Sequence, residues 1–265
     1  MKDETRERVE ADIKDWAYLR ELPDTWHGFT LQRLCRVQGD RYDIYRYEDP
    51  PLHKSVTAYF HEETHEYKLR VKIGLIEFCR IEFITAKFPV FEEQLRAHFE
   101  TVLAGLAAFD PASIGSIVKD KQIMTWEAAK ELPATMEGFT LYIRPEEPVK
   151  INNGSYIVID YVDFALESSV TVYYNIYRDE FFSEARIWNI PDVTYDFDSS
   201  TLSELEERLQ RYLLPRLQEV RSRAEEEARV RRAKAARQQQ GETEQALTAE
   251  AAGLQEAEET EGQPS

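Results

Sequence analysis

Cysteine is nearly absent: Cys35 and Cys79 are the only two in 265 residues, and both fall in strand-like stretches. That excludes a disulfide framework and a Cys-rich metal site, and leaves the pair as reduced apolar filler in a cytoplasmic chain. Glycine is also scarce. Ten residues, none in a Gly-rich turn between strand and helix, exclude a Walker A loop and a dinucleotide fingerprint. No apolar run approaches the roughly 20 residues that cross a bilayer. Met1 to Arg8 is charged with no apolar segment behind it, so neither a membrane span nor a secretory leader is expected. Positive charge is in deficit, with 33 Lys and Arg against 50 Asp and Glu for a net charge of -17. A chain so acidic lacks the basic footprint that phosphate backbones require, which argues against nucleic acid. Nucleophile signatures are missing as well. There is no Gly-x-Ser-x-Gly elbow, and neither cysteine has a His and a third partner nearby in sequence. The many carboxylates read as solvated surface.

What the chain does have is 42% hydrophobic and 12% aromatic content, ample for packed cores. It also spells one stretch twice. Ile13, Trp16, Glu21, Leu22, Pro23, Thr25, Gly28, Phe29, Thr30 and Leu31 return as Ile123, Trp126, Glu131, Leu132, Pro133, Thr135, Gly138, Phe139, Thr140 and Leu141, at a constant offset of 110. Matches this dense mark an internal repeat. Asp15 and Thr125 are suited to cap a short helix at each Trp, Pro23 and Pro133 stop it, and Gly28 and Gly138 turn the chain into a strand. Four extra residues around Arg144–Pro148 then move the offset to 114. From Tyr42 the copies run without gaps.

Alternation places Val56, Ala58 and Phe60 on an apolar sheet face, followed by Leu69, Val71 and Ile73 and by Cys79, Ile81 and Phe83. The matching sets in the second copy are Val170, Val172 and Tyr174, then Ser183, Ala185 and Ile187, then Val193, Tyr195 and Phe197. Phe91, Leu95, Phe99 and Leu103, echoed by Leu205, Leu209, Leu213 and Leu217, describe a closing amphipathic helix. The expected fold is therefore α+β, two tandem pseudo-symmetric repeats, each a short helix, four or five antiparallel strands and a closing helix. The expected organisation is a polar N-terminus at 1–10, repeats at 11–106 and 121–220 joined by a linker at 107–120, a solvated charged helix at 221–240 and a disordered acidic tail at 241–265.

His61-Glu62-Glu63-Thr64-His65 matches the zincin pattern, which binds zinc only on a helix; lying between two strands it reads as a hairpin turn, and no metal or cofactor is expected. Trp16 and Trp126 read as packing anchors, and Glu21, Thr25 and Thr30 with their duplicates as turn and cap residues. One asymmetry points to binding. Lys68, Arg70, Lys72 and Arg80 make the mixed sheet face of the first copy basic, whereas Phe182, Glu184, Arg186 and Thr194 stand there in the second, and Tyr59 and Tyr173 share that side. These six residues are the candidate binding set. The function expected from the sequence is a non-enzymatic cytoplasmic module that presents its sheets and grooves to another protein. A small-molecule receptor or an enzyme with a pocket between the repeats is the alternative.

Overall fold

A computed structural model describes residues 1–152 and 154–261, with side chains as far as Ala236. Helices α1 (Asp3–Ile13) and α2 (Ala17–Glu21) precede β1 (Thr25–Trp26), β2 (Phe29–Gln38), β3 (Arg41–Asp49), β4 (Lys54–His61), β5 (Glu66–Ile73) and β6 (Ile76–Cys79), and α3 (Phe88–Ala107) follows. After α4 (Ser116–Asp120) come β7 (Thr135–Met136), β8 (Phe139–Ile143), β9 (Val149–Lys150), β10 (Ser155–Asp163), β11 (Ser168–Asn175), β12 (Glu180–Ile187), β13 (Ile190–Ser199) and α5 (Leu202–Glu261). The first sheet is an antiparallel meander in the order β1-β2-β3-β4-β5-β6. The second runs β13-β12-β11-β10-β8-β7, with β9 paired to β10. Six and seven strands exceed the expected four or five, because the two-residue strands β1, β7 and β9 are too short to leave a periodic trace.

The duplicated motif folds into a small hairpin in each sheet. Trp26 pairs with Phe29 and Met136 with Phe139. Between them, His27 and Gly28 (φ 49° and 88°) and Glu137 and Gly138 (φ 51° and 81°) are all left-handed. A two-residue turn with positive φ at both positions matches the right-handed twist of the strands, and glycine at the second position adopts it without a Cβ clash. The expected caps are not used: Trp16 and Trp126 themselves occupy the N-cap positions, with no side-chain cap bond. At 4% and 8% exposure the two indoles enter the helical turns as buried anchors, so packing replaces the side-chain cap.

Each sheet buries one face under its closing helix. Val56, Ala58, Phe60, Leu69, Val71 and Ile73 pack with Phe91, Leu95, Phe99 and Leu103 of α3, and Val170, Val172, Tyr174 and Ala185 with Leu205, Leu209, Leu213 and Leu217 of α5. The polar N-terminus is docked, since Val9 is fully buried and the Met1 ammonium donates to the Gly39 carbonyl at 2.9 Å. The 107–120 segment is structured as well, with Ile114 and Val118 buried in the second core.

Two stretches depart from the alternation read in the sequence. β6 stops at Cys79 and the chain turns through a 3-10 helix at Ile81–Phe83, so Ile81 is 58% exposed while Phe83 is buried. Val193 pairs with Glu184 rather than with the inward Ser183 and Ala185, so it and Tyr195 are 70% and 73% exposed while Thr194 is buried, and a register shift beyond Thr194 brings Phe197 inward. The 221–240 stretch was expected to lie free of the body. Instead Val220, Ala224 and Ala228 form a buried row at helical spacing, and the Trp188 indole donates to the Ala224 carbonyl at 2.8 Å. Alanine is small enough to let α5 lie close to β12 and its turn, and its low hydrophobicity hides the stripe. The tail expected from Gly241 falls outside the residues whose side chains are described, as does Asn153 of the expected Asn153-Gly154 turn. No helix is long and apolar enough to cross a membrane among the described residues.

Candidate functional site: the junction cleft

The expected basic face is largely covered. Thr57, Tyr59, Thr171 and Tyr173 lie on the sheet faces turned away from α3 and α5, yet none exceeds 5% exposure, and Asp43 and Asp160 on those faces are fully buried. The cover is the other half of the molecule. The Tyr142 hydroxyl donates to the Leu52 carbonyl at 2.7 Å, His53 stacks on Phe164 with ring centroids 3.6 Å apart, and the Asn152 amide donates to the Cys79 carbonyl. A Cβ placed on Gly74 would come within 2.9 Å of the Tyr142 ring and 3.6 Å of Asp160 Oδ2. Lys68 and Arg70 keep only 13% and 12% of their side-chain surface and pair with Glu66 and Glu77 at 3.1 and 3.4 Å. Lys72 and Arg80 remain more open, at 42% and 35%, facing Glu77 and Glu82. Arg70 also lies over the Tyr59 ring, whose hydroxyl is 3.2 Å from Cys79 Sγ. These six residues are thus divided between a covered seam and a paired rim. Cys79 is half-buried as an apolar filler would be, but Cys35 is exposed at a left-handed position (φ 42°) in β2.

Asp160 is the most perturbed carboxylate of the seam. Burial pushes its pKa up to about 7, against the opposing pull of the Thr171 hydroxyl, 2.7 Å from Oδ1, and of the Arg186 charge. Oδ2 has no partner. Position 46 in the first sheet makes the opposite choice: Arg46 Nε donates to the Thr57 hydroxyl at 3.2 Å.

Where β6 ends early, the first core opens at its side. A cleft of about 830 Å³ lies between β5–β6, the second half of α3, the segment after α3 and residues Glu147–Lys150, which lead from the extra stretch at 144–148 into β9. Val71, Ile73, Phe78, Val102 and Leu106 make its apolar floor. Thr101, Ala104, Gly105 and Ala108 present small side chains along the α3 wall, and a Cβ built on Gly105 meets no atom within 4 Å. Arg80, Glu82, His98, Asp110, Glu147 and Lys150 carry the charge around it. Arg80 is engaged with Glu82 through Nε at 2.9 Å. Burial alone would raise the Glu82 pKa, but the hydrogen bonds from Arg80 and from its own backbone, with the Arg80 and His98 charges, hold it below the usual range. The Asp110 carboxylate accepts from the Ala112 N–H at 2.9 Å, and Glu147 acts on the nearby Lys54 ammonium, pulling its pKa up against burial.

Comparison with known proteins finds no matching family model, no similar curated protein and no similar solved structure.

The His61–His65 stretch is a turn from β4 to β5, as expected. Its His61 ring is held between Asp40 (3.0 Å) and Thr64 (3.1 Å), while Glu62 accepts from the Lys2 backbone at 2.7 Å. Asp40, His61 and Glu63 lie within 4.8 Å of one another at the surface, but His65 is not among them, so the pattern does not assemble a zincin pair. The sequence raises a pocket between the repeats but assigns none of these residues to it, because the floor residues look like ordinary core. The available signals were the insertion at 144–148 and a glycine in the middle of a helix.

Proposed function

We propose that the chain is a non-catalytic binding module made of two pseudo-symmetric repeats, and that the cleft where they meet is its ligand site. The observation that carries this reading is the cleft itself: about 830 Å³ with an apolar floor and a charged rim, within the range of about 300–1,000 Å³ usual for small-ligand sites. The matching meanders and the recurring hairpins support the repeat origin, and the cleft marks where the copies diverge, β6 having four residues and β13 ten. A binding role fits the lining better than catalysis. Of the two hydroxyls there, Ser113 is spent on the Asp110 carbonyl at 2.6 Å, and neither it nor Thr101 is bonded to a base. Two free thiols fit a reducing, cytoplasmic setting.

The test is a fragment screen by ligand-observed NMR on the parent protein and on Gly105→Leu, whose side chain fills the space beside α3. Fragments that bind the parent and lose their signal with the filled variant are expected. A screen in which no bound fragment is sensitive to the substitution overturns the reading. A protein partner is favoured by one other observation: the edge strand β13 exposes Ile190, Val193 and Tyr195 at 61%, 70% and 73%. Unprotected apolar edges of this kind invite strand addition. Loss of partner capture by Val193→Lys with Tyr195→Lys, with binding to the cleft intact, would select this second reading.

A further inference from the structure

We infer that the junction cleft selects a cationic amphiphile, an ammonium group on an apolar body; this rests on the cleft being the ligand site. The apolar half of the specification comes from the floor. Val71, Ile73, Phe78, Val102 and Leu106 offer no hydrogen-bonding side chain, and at Gly105 the helix backbone is bare, so a flat or extended apolar body can lie directly against α3.

The charge preference comes from the end of α3. This helix has 20 residues and its last turn, which carries no basic residue, lines the cleft. The C-terminal carbonyls of a helix carry partial negative charge and attract cations. One ammonium already answers that field: Lys54, from β4, donates to the Leu106 carbonyl at 2.8 Å, and it does so although burial lowers its pKa, with Glu147 and Asp49 pulling the other way. Asp110, which accepts from the Ala112 N–H, and Glu147, whose charge already acts on Lys54, add two carboxylates beside the same helix end, while Arg80 is neutralised by Glu82. Lys150 is the one lysine or arginine of the lining without an ion pair among the described residues. The net charge of -17 draws cations toward the molecule at longer range. An ammonium beside the α3 terminus, with its body over Gly105 toward Phe78, meets the helix-end field and the carboxylate side of the rim next to the carbonyl that Lys54 already takes.

The test uses full-length protein and three probes of one skeleton, 4-phenylbutylamine, 4-phenylbutanol and 4-phenylbutanoate, titrated calorimetrically at neutral pH in low and moderate salt. The amine is expected to bind at least about tenfold more tightly than the alcohol, and the carboxylate more weakly than either, with the amine's advantage shrinking as salt rises. Gly105→Leu should abolish amine binding, and Asp110→Asn with Glu147→Gln should bring the amine to the level of the alcohol. Gly105→Ala, which improves helix propensity, serves as a partly filled control if the leucine variant does not fold. Equal or tighter binding of the carboxylate overturns the charge preference and leaves the cleft standing as a ligand site. Amine binding unchanged in the folded Gly105 variants overturns the placement and counts against the cleft itself. Failure of all three probes overturns the ligand class, while the fragment screen decides the cleft separately.

Discussion

The Tyr47 hydroxyl donates to the carbonyl of Pro23 at 2.6 Å, tying β3 to the residue that stops α2; Tyr161 and Pro133 repeat the bond at 2.8 Å. Each tyrosine is otherwise walled in, and burial, the largest cause, pushes both phenols up to about 12. Tyr47→Phe and Tyr161→Phe each leave a proline carbonyl without its donor, at a cost of about 1 kcal/mol. Urea unfolding of the two variants checks this, and equal losses at the two sites would show that the duplicated residues hold equal stakes.

Asp160 makes stability depend on pH. Its folded pKa, about 7, lies above the ordinary carboxylate value, so the group's contribution is full at low pH and is lost as pH rises through 7. Asp160→Asn can still accept from Thr171 and carries no charge. It should match the parent near pH 4 and exceed it by on the order of 3 kcal/mol at pH 8. Chemical denaturation across that range measures the difference, and parallel curves for the two proteins would contradict the burial of a protonatable group there.

Charge reversal separates the covered cations from the open ones. Lys68→Glu and Arg70→Glu would each set a carboxylate in the seam beside Glu66 or Glu77, where an unpaired buried charge costs about 3 kcal/mol or more. Lys72→Glu, at the open rim, should cost less than about 1 kcal/mol. Thermal melts of the three single variants give the ranking, and equal small effects would mean that the two halves do not cover this face.

Truncation maps how far α5 is held. Removing 233–265 takes away none of the buried α5 residues among those whose side chains are described and should leave the midpoint within about two degrees. Removing 221–265 deletes Ala224, Ala228 and the bond to Trp188, along with the Arg223–Asp192 pair at 2.7 Å. That cut should lower the midpoint by about 5–10 °C.

Legibility followed burial on one side of each element. Val56, Ala58 and Phe60, and Leu69, Val71 and Ile73, alternate cleanly because one face meets α3. Phe91, Leu95, Phe99 and Leu103 were equally plain. The basic set read as surface because alternation tells only that Lys68, Arg70 and Lys72 point away from α3, and says nothing of a second layer that runs from Tyr142 to Phe182. Thr57 and Thr171 are fully or nearly buried yet look like solvent-facing threonines in sequence. The cleft was hidden for a further reason. It is made by a strand ending at Cys79, and the apolar spacing of Ile81 and Phe83 continues a strand rhythm through a segment whose backbone has already turned into a 3-10 helix.

The covered seam also has a history within the life of each chain. The strands of the first sheet precede α3 in the chain, but the residues of the second half that pack against the first core run to Phe182, and at about 5–20 residues per second the ribosome needs on the order of ten seconds to supply them. Were the first sheet to form in that interval, the face bearing Tyr59 and Thr57 would stand in water, and Lys68, Arg70 and Lys72 on that same face would be its wettable groups until the second half arrived.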